Sequence, residues 1–528
     1  MRAARRPFRR CAGTAPFRGW RATRAAARSP RNREPRRLPV AQRAPPPVQN
    51  ESMTRSATLN RPLALLVAGT FFMEVLDGTI IQTAAPAMAR DLGVNAVDIN
   101  IAMTAYLLTL AVGVPVSGWL ADRFGTRRIF ALAIVLFTVA SALCALSTSL
   151  PMLVAMRVLQ GVGGAMMVPV GRLAVLRAVE KRDLLDAMAY LTWPALLAPV
   201  LAPVLGGVIA DTVGWQWIFL VNIPIGVLAF VVALRVVPVT DPVHRHQLDW
   251  AGFALVGVTL AALVLGMEQI GMSPTNWWLA GGLLAGSATV GAAAVLRLRR
   301  AAHPLLDLSA LAIPTFRVGN VGGGVYRLLI GAAPFLFVLL FQTGFGWSAS
   351  QAGLLVMAVF LGNVAIKPAT SPLIRRFGFR AVIVGSNLCG AVVFVLCTFI
   401  EPGTPIAVIA VLLFASGVFR SIGFSGYNSV QFADVPAPMT SAANTLASTL
   451  QQVAVGLGIA VAALIVRATT AGAALVDPAM GELGYRWAFG VLAVLLLVPA
   501  IEAWRMPAHA GAEVAARRSR VAPRPDAG

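Results

Sequence analysis

Charged side chains are scarce in this chain: Asp, Glu, Lys and Arg make up 12% of its 528 residues, against 57% hydrophobic residues. Soluble domains usually carry about one quarter charged residues, so this composition argues against a soluble enzyme. Cysteine and histidine are scarce too, at 4 residues each. Neither type occurs in a CxxC or metal-ligand spacing, which disfavours disulfides, structural zinc and metal catalysis. A GxxxxGK[ST] phosphate loop is also missing from the sequence, which disfavours an ATP-driven machine.

Long apolar runs, in contrast, are abundant. Fourteen stretches of about twenty residues are each long enough to cross ~30 Å of hydrocarbon as a helix. The chain is therefore predicted to be an all-α polytopic membrane protein. The predicted spans, numbered 1 to 14, are Leu63–Thr83, Ile99–Trp119, Ile129–Leu146, Met152–Val170, Ala187–Ala210, Trp217–Leu234, Trp250–Met267, Trp277–Leu296, Val321–Phe341, Ala352–Ala369, Ala381–Ile400, Ile406–Ser425, Ala442–Val466 and Trp487–Ala503.

Basic residues alternate between the connections. Those after the even-numbered spans hold most of the arginines, including Arg172 after span 4, whereas the opposite loops hold only Arg90, Arg467 and Arg486. This positive-inside pattern predicts an inner (cell) membrane protein with both termini cytoplasmic. The connection after span 12 is the weak point, because it contains Asp434 and no clear basic residue.

Fourteen arginines precede residue 53, against only Glu34 and Glu51 as acids. The segment has no apolar periodicity and is predicted to be disordered. Three interpretations are open: a tail attracted to anionic lipid, a targeting segment, or translated upstream sequence with the true start at Met53, which we favour. The net charge of +22 follows one membrane face and does not indicate a nucleic-acid partner.

The connection after span 2 reads GWLADRFGTRR over residues 118–128. It resembles the GxLaDrxGrk signature of the major facilitator superfamily, whose charged residues form a latch between helix ends on the cytoplasmic side. The alternative is a tight turn with positive-inside charge. By resemblance, the latch residues are Gly118, Asp122, Arg123, Gly125, Arg127 and Arg128.

An internal repeat supports this resemblance. Residues 373–380, LIRRFGFR, align without gaps on residues 120–127, LADRFGTR. Two six-helix bundles, spans 1–6 and 9–14, are implied, with spans 7 and 8 as an inserted pair. Arg375 replaces the acid of the first copy, so the second latch is predicted to be weaker or differently paired. The predicted divisions are 1–60, 61–234 for the first bundle, 235–300 for the inserted pair, 301–503 for the second bundle, and the tail 504–528.

Two further stretches resemble the fourteen-helix drug:proton antiporter branch of this superfamily, the EmrB/QacA type. They are LDGTIIQTAAP over residues 76–86 and WQWIFLVNIPIG over residues 215–226. Residues 118–130 favour an MdtD-like subgroup. Span 5 resembles the antiporter motif GPxxGG through Pro203, Gly206 and Gly207, with Ala202 in place of the first glycine. Ordinary small-residue helix packing is the alternative.

Charged residues inside the spans are the candidate coupling site. Glu74 and Asp77 lie three residues apart and share a helix face, and two close carboxylates in low dielectric do not both ionise easily. Arg157 in span 4 costs about 2.5 to 3.5 kcal/mol unless it faces a cavity or an acid. We predict that Asp77, Glu74 and Arg157 couple transport to protons. A static Asp77–Arg157 pair is the alternative.

The sequence therefore favours a proton-coupled efflux transporter that works by alternating access, a drug or small amphiphilic compound:H⁺ antiporter. An importer or exporter of a small metabolite and a nontransporting sensor remain open. Its expected partners are a small-molecule substrate, protons and the lipid bilayer, with no cofactor, acting as a monomer; a periplasmic adaptor is left open. The residues predicted to line its cavity are Gln160, Arg327, Asn363, Arg420 and Gln451.

Overall fold

The computed structural model describes residues 61–94, 98–239, 247–271, 276–476, 481–507 and 510–515. The predicted amino-terminal segment 1–60, with its Met53 alternative, and most of the carboxy-terminal tail lie outside these ranges. Within them the regular structure is helical throughout, without a strand. This agrees with the all-α prediction.

Each of the fourteen predicted spans coincides with a helix, and we number these helices α1 to α14. Eleven described helices are long and apolar enough to cross a membrane. The helices are α1 Arg61–Leu92, α2 Asn100–Phe124, α3 Thr126–Ala145, α4 Leu150–Ala178, α5 Leu184–Thr212, α6 Trp217–Leu220 with Asn222–Val236, α7 Trp250–Gly271, α8 Trp277–Arg300, α9 Pro314–Gly344, α10 Ala349–Ala365 with 367–377, α11 379–397, α12 Ile406–Val430, α13 Thr440–Val476, and α14 Gly481–Leu495 with Leu497–Trp504.

The helices pack as two bundles with an appended pair. Helices α1 to α6 contact one another, as do α9 to α14, and α7 pairs with α8 and rests on α2 and α13. Apolar side chains fill each bundle. The core of the second bundle also takes in Leu184, Leu185 and Met188 from the first two turns of α5. Helix α5 therefore packs against both bundles.

The two copies of the repeated sequence share a backbone conformation. Gly125 separates α2 from α3 with φ 89° and ψ 138°, and the aligned Gly378 separates α10 from α11 with φ 78° and ψ 163°. Residues with a Cβ rarely adopt a positive φ of this size. The sequence repeat is thus also a repeat of backbone conformation, at the same turn of each bundle.

Both turns lie at one end of the molecule, which we call the latch side. Gly118, two residues before the first copy, faces α13: a Cβ on this residue would collide with the Thr445 side chain. Small residues allow helices to approach this closely in membranes. The glycine of the signature motif therefore sets the crossing of α2 and α13, between the two bundles.

Candidate transport site

Asp77 of α1 and Arg157 of α4 form a fully buried ion pair inside the first bundle. Arg157 is 0% and Asp77 1% exposed, and Nη1 of Arg157 lies 2.5 Å from Oδ2 of Asp77. The ring of Tyr106 lies under the guanidinium, 4.1 Å from its Cζ atom. An intramembrane arginine needs an acid or water, and here it has an acid and an aromatic face.

Three neutral residues complete the pair. Gln160 and Asn222 each donate to Oδ1 of Asp77 at 2.9 Å, and Asn222 also donates to the hydroxyl of Ser141 at 3.0 Å. Sequence reasoning did not assign a role to Asn222, Ser141 or Tyr106, although Asn222 stood inside one of the quoted signature stretches. The carboxylate of Asp77 is therefore held on both oxygens by buried donors.

Glycines of the stretch RVLQGVGGA, residues 157–165 of α4, bring these groups within reach of one another. A Cβ at Gly161 would meet Thr109 and the backbone of Tyr106 in α2, and a Cβ at Gly163 would meet the backbone of Phe137 in α3. Helix α4 can therefore lie directly against both neighbours. The motif is accordingly a packing device for the buried pair.

Glu74 has a different environment from Asp77, one turn away on the same helix. It lies on the wall of a cavity between the bundles, and its Oε2 has no hydrogen-bond partner among the described residues. The sequence predicted a shared helix face for the two acids. The structure places one inside a closed network and the other towards the cavity.

The cavity has a volume of about 100 Å³. Five helices besides α1 contribute to its wall, three from the first bundle and the remainder from the second, so the wall is divided between the bundles. Its residues are Val67, Phe71, Glu74, Leu110, Val114, Gly164, Val168, Pro169, Arg172, Met188, Leu191, Thr192, Phe424, Asn428, Ser448, Gln451 and Gln452.

Of the five residues predicted to line this cavity, Gln451 is on the described wall and four are not. Gln160 belongs to the Asp77 network, and Arg327 lies behind Asn428, to whose Oδ1 it donates at 2.7 Å. Asn363 is buried where α10 crosses α12, and Arg420 lines a smaller cavity within the second bundle. These four residues lie off the described wall, which the sequence did not show because hydropathy identifies a span without identifying which helix face meets the other bundle; their part in transport stays a prediction.

The predicted position of Arg172 needs a correction. We expected it in the connection after span 4, but α4 continues to Ala178 and Arg172 is 8% exposed within it. Its Nε donates to Oδ1 of Asn444 at 2.7 Å, its Nη2 donates to Ser448, and its Nη1 donates to Gln451 at 3.4 Å. A buried arginine of the first bundle thus holds α13 of the second.

The latch loops pair in two ways. In the first copy, Oδ1 of Asp122 accepts from Nη2 of Arg177 at 2.5 Å, so α2 is tied to the end of α4. The guanidinium of Arg123 lies over the ring of Trp119, 5.5 Å from the ring centre. Arg127 is half-buried and Arg128 exposed. In the second copy, Arg375 pairs at 3.0 Å with Asp186 of α5.

Helix α5 is continuous over Leu184–Thr212, through Pro203 of the antiporter-like motif. The Pro203 side chain lies outside the description. Gly206 is buried, whereas a Cβ on Gly207 would meet no atom within 4 Å. The alternative reading, close helix packing at the two glycines, therefore gains no support at Gly207.

Hydrogen bonds between the bundles fall on the latch side in the described part of the chain. Besides those of Arg172 and Arg375, they include Lys367 Nζ to Thr192 Oγ1 at 3.4 Å and Asn444 Nδ2 to the carbonyl of Pro169 at 2.9 Å. The cavity is thus closed from the latch side by polar contacts. Two helical bundles that enclose a cavity between them are the architecture of a membrane transporter.

Comparison with known proteins identifies the family. Residues 67–333 and 321–525 match the model of the Major Facilitator Superfamily, and the chain belongs to this superfamily. Over 445 residues it is 36% identical to the putative multidrug resistance protein MdtD of Salmonella paratyphi B, covering 84% of this chain and 94% of that protein. The corresponding protein of Salmonella typhimurium is 35% identical over the same length and coverage. The resemblance to the drug:proton antiporter branch is confirmed.

Two solved structures share the fold. The human organic anion transporter MFSD10 (TETRAN) aligns with a TM-score of 0.56 at 16% identity, over 85% of this chain and 98% of that one. The proton:xylose symporter XylE, bound to 6-bromo-6-deoxy-D-glucose, aligns with a TM-score of 0.56 at 13% identity, over 86% and 97%. The protein is a multi-pass membrane transporter of small molecules.

Proposed function

We propose that this protein is a proton-coupled exporter of a small amphiphilic compound, which exchanges substrate for protons by alternating access. The observation that carries the proposal is the carboxyl group of Glu74 on the wall of a cavity shared by two bundles, with its Oε2 unpartnered among the described residues. The curated relatives, named as putative multidrug resistance proteins, support export as the direction. In this proposal both termini lie in the cytoplasm, so the latch side is the cytoplasmic side.

The two acids of α1 take different parts in the proposed exchange. Glu74 receives the proton or the substrate from the cavity, since a group on the wall is accessible to both. Asp77 is enclosed by Arg157, Gln160 and Asn222, and its network joins α1, α4 and α6. A change of charge at Glu74, one turn away, alters the field at this buried pair and so the relative positions of the helices that it joins.

Alternating access then depends on the latch side opening. The contacts of Arg172 and the Arg375–Asp186 pair close this side in the present structure, and their rupture would connect the cavity to the cytoplasm. Rocking of parallel repeats about a central site is the usual motion of such two-bundle transporters. No nucleotide is needed: one charge moved across 100 mV supplies about 2.3 kcal/mol, enough for a roughly fifty-fold gradient at about 1.4 kcal/mol per tenfold.

The test is proton movement in proteoliposomes that contain the full chain and the trapped pH indicator pyranine. A panel of ethidium, benzenesulfonate and benzenesulfonamide is added under an imposed pH gradient, and release of protons linked to any one probe supports exchange. Asp77→Asn and Arg157→Ala are expected to abolish this coupling. Full gradient-driven transport by both variants would refute the coupling pair, and inward accumulation of the probe would select an importer instead.

A further inference from the structure

Three buried cations lie on the wall of the central cavity or directly behind it, and no carboxylate among the described residues pairs with them. Arg172 is 8%, Arg327 6% and Lys367 5% exposed. None of the three takes part in an ion pair within 4.0 Å among the described residues. We call these residues the basic cluster.

The basic cluster is bound to neutral oxygens, and two of these, on Asn428 and Thr192, belong to the cavity wall. Arg327 donates to Asn428, and Lys367 donates to Ser425 Oγ at 2.7 Å as well as to Thr192. Arg327 and Lys367 also share one aromatic ring, lying 5.9 and 6.0 Å from the centre of Phe424. Two of the three positive charges therefore lie next to Phe424, a residue of the cavity wall. The third, Arg172, is itself on that wall, with its guanidinium 5.7 Å from the ring centre of Phe432.

Neutral oxygens orient a buried cation, but they do not cancel its charge. Removing an ion from water is costly unless an opposite charge lies close by, and intramembrane cations usually pair or mark a ligand pathway. The first bundle follows this rule, because Arg157 has Asp77. The basic cluster departs from it, and the described cavity wall offers a single acid, Glu74, for three cations.

We propose that the missing negative charge is carried by the substrate. The substrate class is a small zwitterion, whose anionic head, a carboxylate, sulfonate or phosphate, binds at the basic cluster while its amine faces Glu74. Arginine and lysine are the usual partners of such anions. The amine competes with a proton for Glu74, which makes loading of substrate and proton mutually exclusive. This inference deepens the proposed exchange and rests on it for the direction of transport.

Binding of three matched probes to the purified full chain tests the charge requirement without a gradient. The probes are 4-(aminomethyl)benzenesulfonate, a zwitterion; 4-methylbenzenesulfonate, an anion; and 4-methylbenzenesulfonamide, which is neutral. We expect the zwitterion to bind most tightly and the anion at least tenfold more tightly than the sulfonamide. Equal affinities of the anion and the sulfonamide for the wild-type protein would overturn the proposal, whatever any variant does.

Variants locate the site. Lys367→Met is expected to lower the affinity of both sulfonates about tenfold and to leave that of the sulfonamide unchanged, whereas Lys367→Arg keeps the charge and most of the affinity. Glu74→Gln should reduce the affinity for the zwitterion to that for the anion. Arg299→Gln, on the exposed end of α8, removes a charge elsewhere and serves as the matched control. An equal loss for all three probes in Lys367→Met would indicate a packing defect and contradict the site.

The two proposals can fail separately. Charge-selective binding that depends on Lys367, without proton-linked movement in proteoliposomes, would retain the anion site and refute the exchange mechanism. Proton-linked export of ethidium with no preference for sulfonates in the binding experiment would do the reverse.

Discussion

Nη2 of Arg375 lies 3.0 Å from Oδ2 of Asp186, so the second copy of the repeated loop is tied to the first bundle. Asp122, which aligns with Arg375, pairs instead within its own bundle with Arg177. The acid missing from the second copy is supplied by α5. The first pair can therefore persist in every conformation, whereas the second must break when the latch side opens.

Single substitutions of the Arg375–Asp186 pair should favour the conformation that is open on the latch side. The side chains are 16% and 34% exposed, and partly exposed pairs contribute up to about 1 kcal/mol, a shift of roughly fivefold in the conformational equilibrium. Asp186→Arg and Arg375→Asp should each slow proton-linked transport severalfold. The double exchange should recover most of the rate; continued failure of the double variant would argue that the pair does not act as a gate.

Asp77→Asn should destabilise the protein strongly. It leaves Arg157 buried and unbalanced, and removing one partner of a buried ion pair costs about 3–5 kcal/mol. The measurement is thermal unfolding of the purified protein in detergent. Asp77→Asn/Arg157→Met removes both charges and should unfold at a higher temperature than Asp77→Asn alone. A single variant as stable as the wild type would show that the pair is not needed for folding.

Glu74→Gln should have the opposite profile. Glu74 has no ion-pair partner among the described residues. The free energy of unfolding of the variant should therefore differ from that of the wild type by less than about 1 kcal/mol. Its transport, in contrast, should lose dependence on the pH gradient, because an amide cannot carry the proton. Pyranine-loaded proteoliposomes measure this directly. Retention of full pH dependence would move the proton site from Glu74 to the Asp77 network.

Gly118→Ala should disfavour the conformation closed on the latch side. Its new methyl group would collide with Oγ1 and approach within 3.1 Å of the Cβ of Thr445, and such overpacking typically costs about 1–3 kcal/mol. We expect a clear loss of transport rate in proteoliposomes. Adding Thr445→Ala removes the first of the two contacts and should restore part of the rate. Gly69→Ala has open space around its Cβ and serves as the control.

Gly378→Ala tests the turn that the two copies of the repeat share. Its φ of 78° and ψ of 163° lie in a region that is almost confined to glycine and costs other residues about 1–3 kcal/mol. No atom lies within 4 Å of the added Cβ, so the loss of stability measured by thermal unfolding would be due to the backbone. Gly385→Ala, also in open space but inside α11, should leave the unfolding temperature unchanged or raise it slightly.

Several features of the site followed from the sequence because they obey one-dimensional rules. The spans followed from hydropathy. The two bundles followed from the alignment of residues 120–127 with 373–380, and the equivalent turns at Gly125 and Gly378 agree with it. A pairing of Asp77 with Arg157 was among the sequence readings because an arginine in hydrocarbon requires an acid.

Other features depend on three-dimensional packing, which a single sequence does not encode in a readable period. Glu74 and Asp77 share a helix face by spacing, yet only the packing of α3, α4 and α6 around α1 encloses one acid and leaves the other on the cavity wall. Arg172 was assigned to a loop because the predicted span 4 ended at Val170, whereas α4 continues and α13 covers it.

The sequence by itself determined the class of this protein, because each span needs about twenty apolar residues and each charge inside it needs a partner. Only the tertiary structure decided which charges meet. Helix rotation and the crossing of α2, α4 and α5 with the second bundle place Arg172 on the wall of a common cavity and Arg327 and Lys367 directly behind that wall. The rotation of each helix about its axis depends on the packing of all its neighbours, so the sequence of one helix does not reveal its rotation.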